Sequence, residues 1–209
     1  MSPGIPGRIP LFPLPDAVLF PQMPLPLHVF EPRYRRLVAD VLGGQQTIGM
    51  TLLRPGWESD YEGRPPIYPV GCAGVIEQCE PLPDGRFTLV LRGASRFRVL
   101  EEHAGHDYRV ASVEPLSDEP GEPGELEAAR QRLLGTLSDV SDGRGLIVLQ
   151  TEISHEAFVN ALSQSLPLLP VERQSLLDCS TIPDRYARLI EILEFRNLEA
   201  SRGGGGLAH

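Results

Sequence analysis

The first half of the chain has the two-residue period of β-strands. Phe87, Leu89 and Leu91 recur at every second position, so they share one face of a strand predicted over 86–92. The segment 83–85, Pro-Asp-Gly, is typical of a turn, because proline presets one backbone angle and glycine tolerates positive φ. We expect it to join that strand to the preceding one as a hairpin. The other predicted strands cover 9–12, 24–29, 47–53, 70–79, 96–99 and 108–114.

One helix interrupts this β-rich half. It is predicted to begin near Pro32, since proline is favoured in the first turn of a helix. Its apolar side chains recur at helical spacing and are Tyr34, Leu37, Val38 and Val41. We expect this side of the helix to pack against the strands.

After Leu116 the hydrophobic period changes to that of helices. Two apolar stripes predict two helices. The first stripe is Leu126, Ala129, Leu133, Leu137 and Val140, and the second is Phe158, Leu162 and Leu166. A short helix is predicted over 169–177. The last helix should begin at Thr181, which with Asp184 resembles a capping box. Its main stripe is Tyr186, Leu189, Ile190 and Leu193. A second stripe, Ile192 and Phe195, predicts burial on more than one side.

These patterns indicate an α+β protein in two parts. The predicted division is a β-rich subdomain over 1–116, an acidic Pro/Gly linker over 117–124, a helical subdomain over 125–200 and a flexible tail over 201–209.

Composition removes several kinds of chemistry. All 19 basic residues are arginine, so the chain has no lysine for a phosphate-binding loop, a Schiff base or a Ser–Lys dyad. Two causes of this absence stay open, codon usage and the avoidance of lysine-directed tagging. His155-Glu156 begins a zinc-protease motif, but Val159 stands where the second histidine belongs. We therefore predict no catalytic residue, no metal site and no cofactor.

Charge and hydropathy bear on partners and location. The formal net charge is −9, and residues 117–209 hold 8 arginines against 15 acidic side chains. Such an acidic half repels the phosphates of nucleic acid. No apolar stretch approaches the roughly 20 residues of a membrane helix, and the N-terminus has no signal-peptide pattern. We expect a cytoplasmic, bacterial protein.

The three cysteines are expected to stay reduced. Cys72 and Cys79 fall on one predicted strand, roughly 23 Å apart on opposite faces. That separation is too long for a disulfide, and Cys179 is far away in sequence. Reduced thiols suit the cytosol.

Two strings near the N-terminus resemble the opening of the N-terminal domain of Lon proteases. They are IPLFPLPDAVLFP (9–21) and LPLHVFEPRYR (25–35). The resemblance continues through VGCAG (70–74), LPDGR (82–86), GASRFRV (93–99) and YRVA (108–111), and more weakly through QSLP (164–167) and RQSLL (173–177). Each string alone is weak, but their order and spacing are specific to the family.

The resemblance implies a PUA-like β pseudo-barrel followed by an α-helical bundle, in agreement with the periodicity. In full-length Lon proteases this region helps to recognise substrates and is followed by ATPase and Ser–Lys protease domains. We therefore expect a stand-alone member without either domain. Its expected partner is unfolded or extended polypeptide, captured in a groove of the β subdomain or between the subdomains, and a protease or chaperone is a further candidate. No cofactor is implied.

The segment 54–69 is the first candidate for binding polypeptide. It is rich in proline and glycine and contains the only tryptophan, Trp57, together with Tyr61 and Tyr68. Aromatic side chains on loops often supply contact area for partners. The alternative, that the loop folds its rings onto the barrel, stays open.

Three further groups have a structural alternative that we favour. Phe20, Gln22 and Met23 form a second candidate contact segment, although core packing is the preferred interpretation. A polar network that fixes the first helix, rather than a ligand site, is the preferred interpretation of His28, Glu31 and Arg33.

A solvated strand face paired with acids is the preferred interpretation of Arg92, Arg96 and Arg98.

Recognition of polypeptide is the preferred function. Two rival functions are nucleic-acid binding through the PUA-like barrel, which a basic patch would support, and an enzyme with an unrecognised site, which a cleft with converging polar groups would support.

Overall fold

The computed structural model describes residues 4–61, 63–140 and 153–203. Six strands form a single sheet in the first half. They are β1 (Arg8–Leu14), β2 (Pro24–Val29), β3 (Thr47–Leu52), β4 (Val70–Pro81), β5 (Phe87–His103) and β6 (Arg109–Leu116). All the predicted strands are present, and the two predicted over 86–92 and 96–99 are one long strand, β5.

The sheet closes on itself. Its order is β2-β5-β4-β3-β1-β6, and β6 also pairs with β5. Strand β5 pairs with the strands at both ends of this order, since its residues 87–92 pair with β2 and its residues 96–103 pair with β6. The predicted β4–β5 hairpin is present, with Gly85 at a φ of +80°. The closed sheet confirms the expected β pseudo-barrel.

Small residues make room inside the barrel for one ring. Phe97 is fully buried there with Ile9, Leu11 and Ala111. A Cβ on Gly49 would lie 2.8 Å from both Ile9 and Leu11 and 3.0 Å from the Phe97 ring. Glycine is therefore required at this point of β3, since any side chain would displace the packed core.

Five helices accompany the sheet. They are α1 (Pro32–Leu42), α2 (Pro123–Val140), α3 (His155–Ser165), α4 (Pro170–Asp178) and α5 (Ile182–Gly203). The buried side of α1 consists of the four predicted residues. No helix of the described residues is long and apolar enough to cross a membrane.

The last helix begins as predicted, but its second stripe is only partly buried. The Asp184 backbone N–H donates to Thr181 Oγ1 at 3.1 Å, as in a helix cap. Ile192 is buried, whereas Phe195 is 61% exposed, so the prediction that Phe195 is buried is wrong. The helices α2, α3 and α4 contact α5 and cover its main stripe, and the side chain of Phe195 is left in solvent.

The segment between the halves is shorter than expected and is held in place. Because α2 begins at Pro123, the predicted linker over 117–124 reduces to 117–122. Glu119 forms a parallel bridge with Thr181, and its carbonyl accepts from the Ile182 N–H at 2.9 Å. The tail over 201–209 is helical as far as Gly203, and the remainder lies outside the described residues.

Buried arginines join the barrel to the helices. Arg185 is fully buried and donates to Asn160 Oδ1 at 2.6 Å, to Asp118 Oδ1 at 2.9 Å and to the Leu176 carbonyl at 3.0 Å. Arg96, from β5, is 2% exposed and forms an ion pair with the same carboxylate at 2.6 Å. The prediction that Arg96 belongs to a solvated strand face is therefore wrong. We call Arg96, Asp118, Asn160 and Arg185 the arginine joint.

Candidate polypeptide-binding site

Residues 54–69 form the loop between β3 and β4, and the two ends of this loop are held together at its base, where it meets the barrel. At this base Leu53 forms a bridge with Ile67. Gly56 has a φ of +90°, which glycine adopts without strain, and there the chain turns into a 3-10 helix (Trp57–Asp60). Backbone contacts with the barrel thus set the position of the aromatic rings in the loop.

The three aromatic residues predicted to bind polypeptide are all half-buried. The rings of Trp57 and Tyr61 meet edge to face, with centroids 5.3 Å apart. Tyr68 lies beside the guanidinium of Arg54, 5.4 Å from its ring centroid, and packs against the main core. The structure therefore brings Trp57 and Tyr61 together and places Tyr68 at the base of the loop. Part of each side chain stays in solvent.

Two residues at the start of α1 tether this ring pair. The Tyr61 hydroxyl donates to the Glu31 carboxylate, and Arg33 Nε donates to the same carboxylate at 3.0 Å. Arg33 Nη2 also donates to the Tyr61 carbonyl at 3.1 Å. Burial, and then the hydrogen bond to Glu31, raises the pKa of Tyr61 above its ordinary value. Its hydroxyl is therefore a donor at neutral pH, and the loop is fixed to the helix.

The other predicted site residues lie apart from this network. His28 Nε2 is 3.2 Å from Arg86 Nη1, beside the β4–β5 hairpin. Phe20 is fully buried in the main core, which is the packing alternative favoured for it, and so it presents no contact surface. Gln22 is exposed at a turn with a φ of +68°, and Met23 is half-buried against the core.

A cavity of about 260 Å³ opens beside the loop. Its walls come from the loop, the start of α1 and the segment that leads into β6. Its arginines are Arg33, Arg64 and Arg109, and its rings are Tyr34, Tyr61 and Tyr108. We call this space the arginine cavity. Cationic and aromatic side chains together suit an anionic group carried on an apolar chain.

Arg109 is a buried cation with unused donors. It is 8% exposed, and its Nε lies 3.0 Å from Glu102 Oε2 without directing its N–H at that oxygen. Neither Nε nor Nη1 has a hydrogen-bond partner in the described part of the chain. Burial lowers the pKa of Arg109, Glu102 opposes this, and the positive charge of Arg64 lowers it further. Arginine remains protonated even so, and the cavity wall therefore contains an incompletely paired positive charge.

Sequence reasoning missed Arg64, Tyr108 and Arg109 as site residues. Tyr108 and Arg109 fall in a predicted strand, and Arg64 falls in the candidate loop. Alternation along a strand does not reveal a cavity that forms only when distant segments meet. The one sequence signal was the string YRVA (108–111), which contributed to the family resemblance without indicating a role.

Curated relatives of this chain are Lon proteases. That of Dictyoglomus thermophilum is 27% identical, over 92% of this chain and 26% of its own length. The Lon protease 2 of Desulfotalea psychrophila is 29% identical, over 91% of this chain and 25% of its own length. The chain thus spans about a quarter of the length of the curated relatives it matches.

Solved structures have the same fold. A Lon N-terminal domain protein from Xanthomonas campestris matches with a TM-score of 0.61 and 26% identity, covering 88% of this chain and 97% of that one. The N-terminal domain of a Mycobacterium avium complex Lon protease matches with a TM-score of 0.70 over 90% of this chain and 98% of that one, and at 14% identity it supports the fold alone. A model of the ATP-dependent protease La (LON) substrate-binding domain matches residues 8–194. The chain belongs to this LON substrate-binding domain family.

Proposed function

We propose that this chain is a non-catalytic module that binds unfolded or extended polypeptide. The supporting observation is the half-exposed Trp57–Tyr61 ring pair, held by Glu31 and Arg33 at the rim of the arginine cavity. Gln22 and Met23, on another part of the barrel, form a secondary candidate surface. A protease or chaperone is the further partner proposed, and the cytoplasm is the proposed location.

The ring pair offers enough apolar area to matter for affinity. An aromatic side chain can bury roughly 150–250 Å². At ~25 cal/mol per Å², burial of a further 100 Å² or so of the Trp57 ring by a partner contributes about 2.5 kcal/mol before ordering costs. A loop already fixed by Glu31 and Arg33 loses less conformational entropy on binding than a free loop would.

The non-catalytic part of the proposal is supported by the state of the candidate nucleophiles. Burial raises the pKa of all three cysteine thiols, strongly for Cys72, so their thiolates are disfavoured. With no lysine in the chain, a Ser–Lys dyad has no base. Steady hydrolysis of ATP or casein by the purified chain, abolished by a point substitution within it, would contradict this part.

Substitution of the tryptophan tests the binding function. Trp57→Ala should weaken the binding of casein, measured by fluorescence anisotropy, several-fold, because it removes half of the ring pair. The melting temperature should stay nearly unchanged, because the ring is only half-buried. Phe195→Ala, which removes an exposed ring from α5, is the matched control and should leave binding unchanged.

The opposite pattern would overturn the proposal. A large loss of stability with unchanged casein affinity would show that the loop is packed core. Equal weakening by Trp57→Ala and Phe195→Ala would show that casein adheres to any exposed ring.

A further inference from the structure

We propose that the arginine cavity is a carboxylate subsite of the polypeptide-binding surface. It would receive a carboxylate presented by the bound chain, either its C-terminal group or an acidic side chain. The inference rests on the proposed function and deepens it, since it names the chemistry that the bound polypeptide must carry.

The first support is the unsatisfied guanidinium in the cavity wall. Arg109 is nine-tenths buried, and two of its nitrogen atoms have no hydrogen-bond partner among the described residues. A buried donor without a partner is a destabilising feature that proteins rarely keep. A carboxylate in the cavity would place a second negative charge beside this guanidinium, whose charge is now opposed by Glu102, a carboxylate it shares with Arg64.

The second support is the excess of positive charge around the cavity. Glu31 is held by Arg33 and Tyr61. Glu102 is shared, because its Oε2 lies 3.0 Å from Arg109 Nε and 4.0 Å from Arg64 Nη1. Among the described residues, three guanidinium groups therefore lie against the two carboxylates of Glu31 and Glu102.

The acid among the described lining residues, Asp107, is paired elsewhere. Asp107 lies at the exposed rim and forms an ion pair with Arg36, on the outer side of α1. It therefore already has a cationic partner outside the cavity. A carboxylate on a bound molecule would add to the negative charge that Glu31 and Glu102 supply in the described part of the chain.

The cavity favours a polypeptide carboxylate over a nucleic-acid phosphate. Its walls include three tyrosine rings, Pro13 and Leu53, which suit the apolar part of an amino-acid residue. Its volume is about 260 Å³, and residues of the loop, of α1 and of the segment that leads into β6 line it. The net charge of −9 also repels a nucleic-acid strand.

Matched peptides test the proposal on the full chain. A short fluorescein-labelled peptide of alanine, leucine and tyrosine with a free C-terminal carboxylate is compared with its C-terminally amidated twin. A second pair, both amidated, carries one internal glutamate or one internal glutamine. At least one carboxylate peptide should bind about tenfold more tightly than its amide counterpart, because a charge-assisted hydrogen bond is gained. The pair that shows the difference identifies the source of the carboxylate.

Variants connect this difference to the cavity. Arg64→Gln should reduce the carboxylate preference to about twofold or less, and because Arg64 is 45% exposed the chain should fold normally. Arg188→Gln is the matched control, since it removes an equally exposed arginine, 46%, from an ion pair on α5. Arg109→Gln should abolish the preference, and its thermal melt establishes that it is folded.

Each of the following outcomes bears directly on the carboxylate subsite. If both peptide pairs bind equally and Trp57→Ala still weakens them, polypeptide binding stands and the carboxylate subsite is wrong. If Arg188→Gln lowers the preference as much as Arg64→Gln, the effect is one of general charge and the subsite is wrong. If no peptide binds in any form while casein does bind, the carboxylate subsite is wrong. If casein also fails to bind, the proposed function is wrong as well.

Discussion

Two regions of this molecule bury arginine, and they do so differently. In the arginine joint, Arg185 is fully buried and its side chain has four hydrogen-bond acceptors in the protein. In the arginine cavity, Arg109 is 8% exposed and lacks acceptors for two nitrogen atoms among the described residues. Arg96 of the joint also leaves its Nε without an acceptor, but its Nη1 and Nη2 donate to the Leu177 and Ser117 carbonyls. In the described part of the chain Arg109 has only the ion pair with Glu102, so the degree of burial is nearly the same and the pairing is not.

This difference distinguishes a buried arginine with a structural role from a buried arginine that is a candidate for binding a ligand. A buried cation that is completely paired fixes the relative position of the elements that pair with it. The joint takes its partners from the 117–122 segment and from α3 and α4, and it therefore holds the barrel against the helices. A buried cation whose charge is only partly compensated, in the wall of an open cavity, is a place where an anionic ligand can bind.

The largest expected change in the free energy of unfolding comes from a substitution in the arginine joint. Arg185→Met removes the buried partner of Asn160 Oδ1 and one of the two buried arginine partners of Asp118, and it should lower the free energy of unfolding by about 3–5 kcal/mol. Urea unfolding followed by circular dichroism measures this. Arg188→Met, three residues further along α5 and half-exposed, should change the free energy by less than about 0.5 kcal/mol. Similar losses in the two variants would contradict the structural role of the joint.

Alkaline pH should destabilise both regions through buried tyrosines. Burial raises the pKa of Tyr34, beside the cavity, from about 10 to about 12. Because the folded state holds this proton more tightly, stability is complete below pH 10 and falls as the pH rises towards 12, by at most about 2–3 kcal/mol for this group. Burial also raises the pKa of Tyr186, next to Arg185 in α5.

Replacing each tyrosine by phenylalanine measures how much of the stability lost at alkaline pH comes from each region. Tyr34→Phe and Tyr186→Phe should each make the free energy of unfolding less dependent on pH above 10, as measured by urea unfolding at several alkaline pH values. An unchanged pH dependence in both variants would show that these hydroxyl groups do not ionise on unfolding.

A smaller effect is expected at the cavity. Arg109→Met should lower the free energy of unfolding by only about 1 kcal/mol, because two of its nitrogen atoms have no hydrogen bond to lose and the remaining Glu102 side chain is 27% exposed. Urea unfolding beside Arg185→Met gives the comparison directly. A loss as large as that of Arg185→Met would show that Arg109 is structural.

Limited proteolysis tests the division into subdomains without altering stability. The first cuts should fall in the segment 117–122 or in the tail, and the described parts of the loop 54–69 should be protected by their contacts with Glu31 and Arg33. Mass spectrometry of the fragments locates the cuts. Cleavage within the described parts of the loop before any cut in the segment 117–122 or in the tail would contradict the proposed organisation.

The fold could largely be predicted from the sequence, because its signals are local. Alternation along 86–92, the turn at 83–85 and the stripe of α1 each specify an element without reference to the remainder of the chain. Phe195 shows the limit of this reasoning. An apolar stripe indicates which side of a helix can be buried, but packing partners decide which residues of it are covered.

The site could be predicted only in part. Trp57 and Tyr61 stand out in composition, and the structure places them together. Arg109 and Arg185 are ordinary strand and helix arginines in the sequence, and their environments differ only after folding. The sequence predicts a surface position for Arg96 for the same reason, since its partner Asp118 lies 22 residues away in the segment that follows β6.

One spectrum tests the comparison most directly. The Nε–Hε resonances of arginine side chains in the ¹⁵N-labelled protein report on each guanidinium during titration with the labelled carboxylate peptide. We predict shifts for Arg33, Arg64 and Arg109, together with the Trp57 indole N–H, and unchanged signals for Arg96 and Arg185. Shifts in the arginine joint, with none in the cavity, would contradict the assignment of structure to one region and recognition to the other.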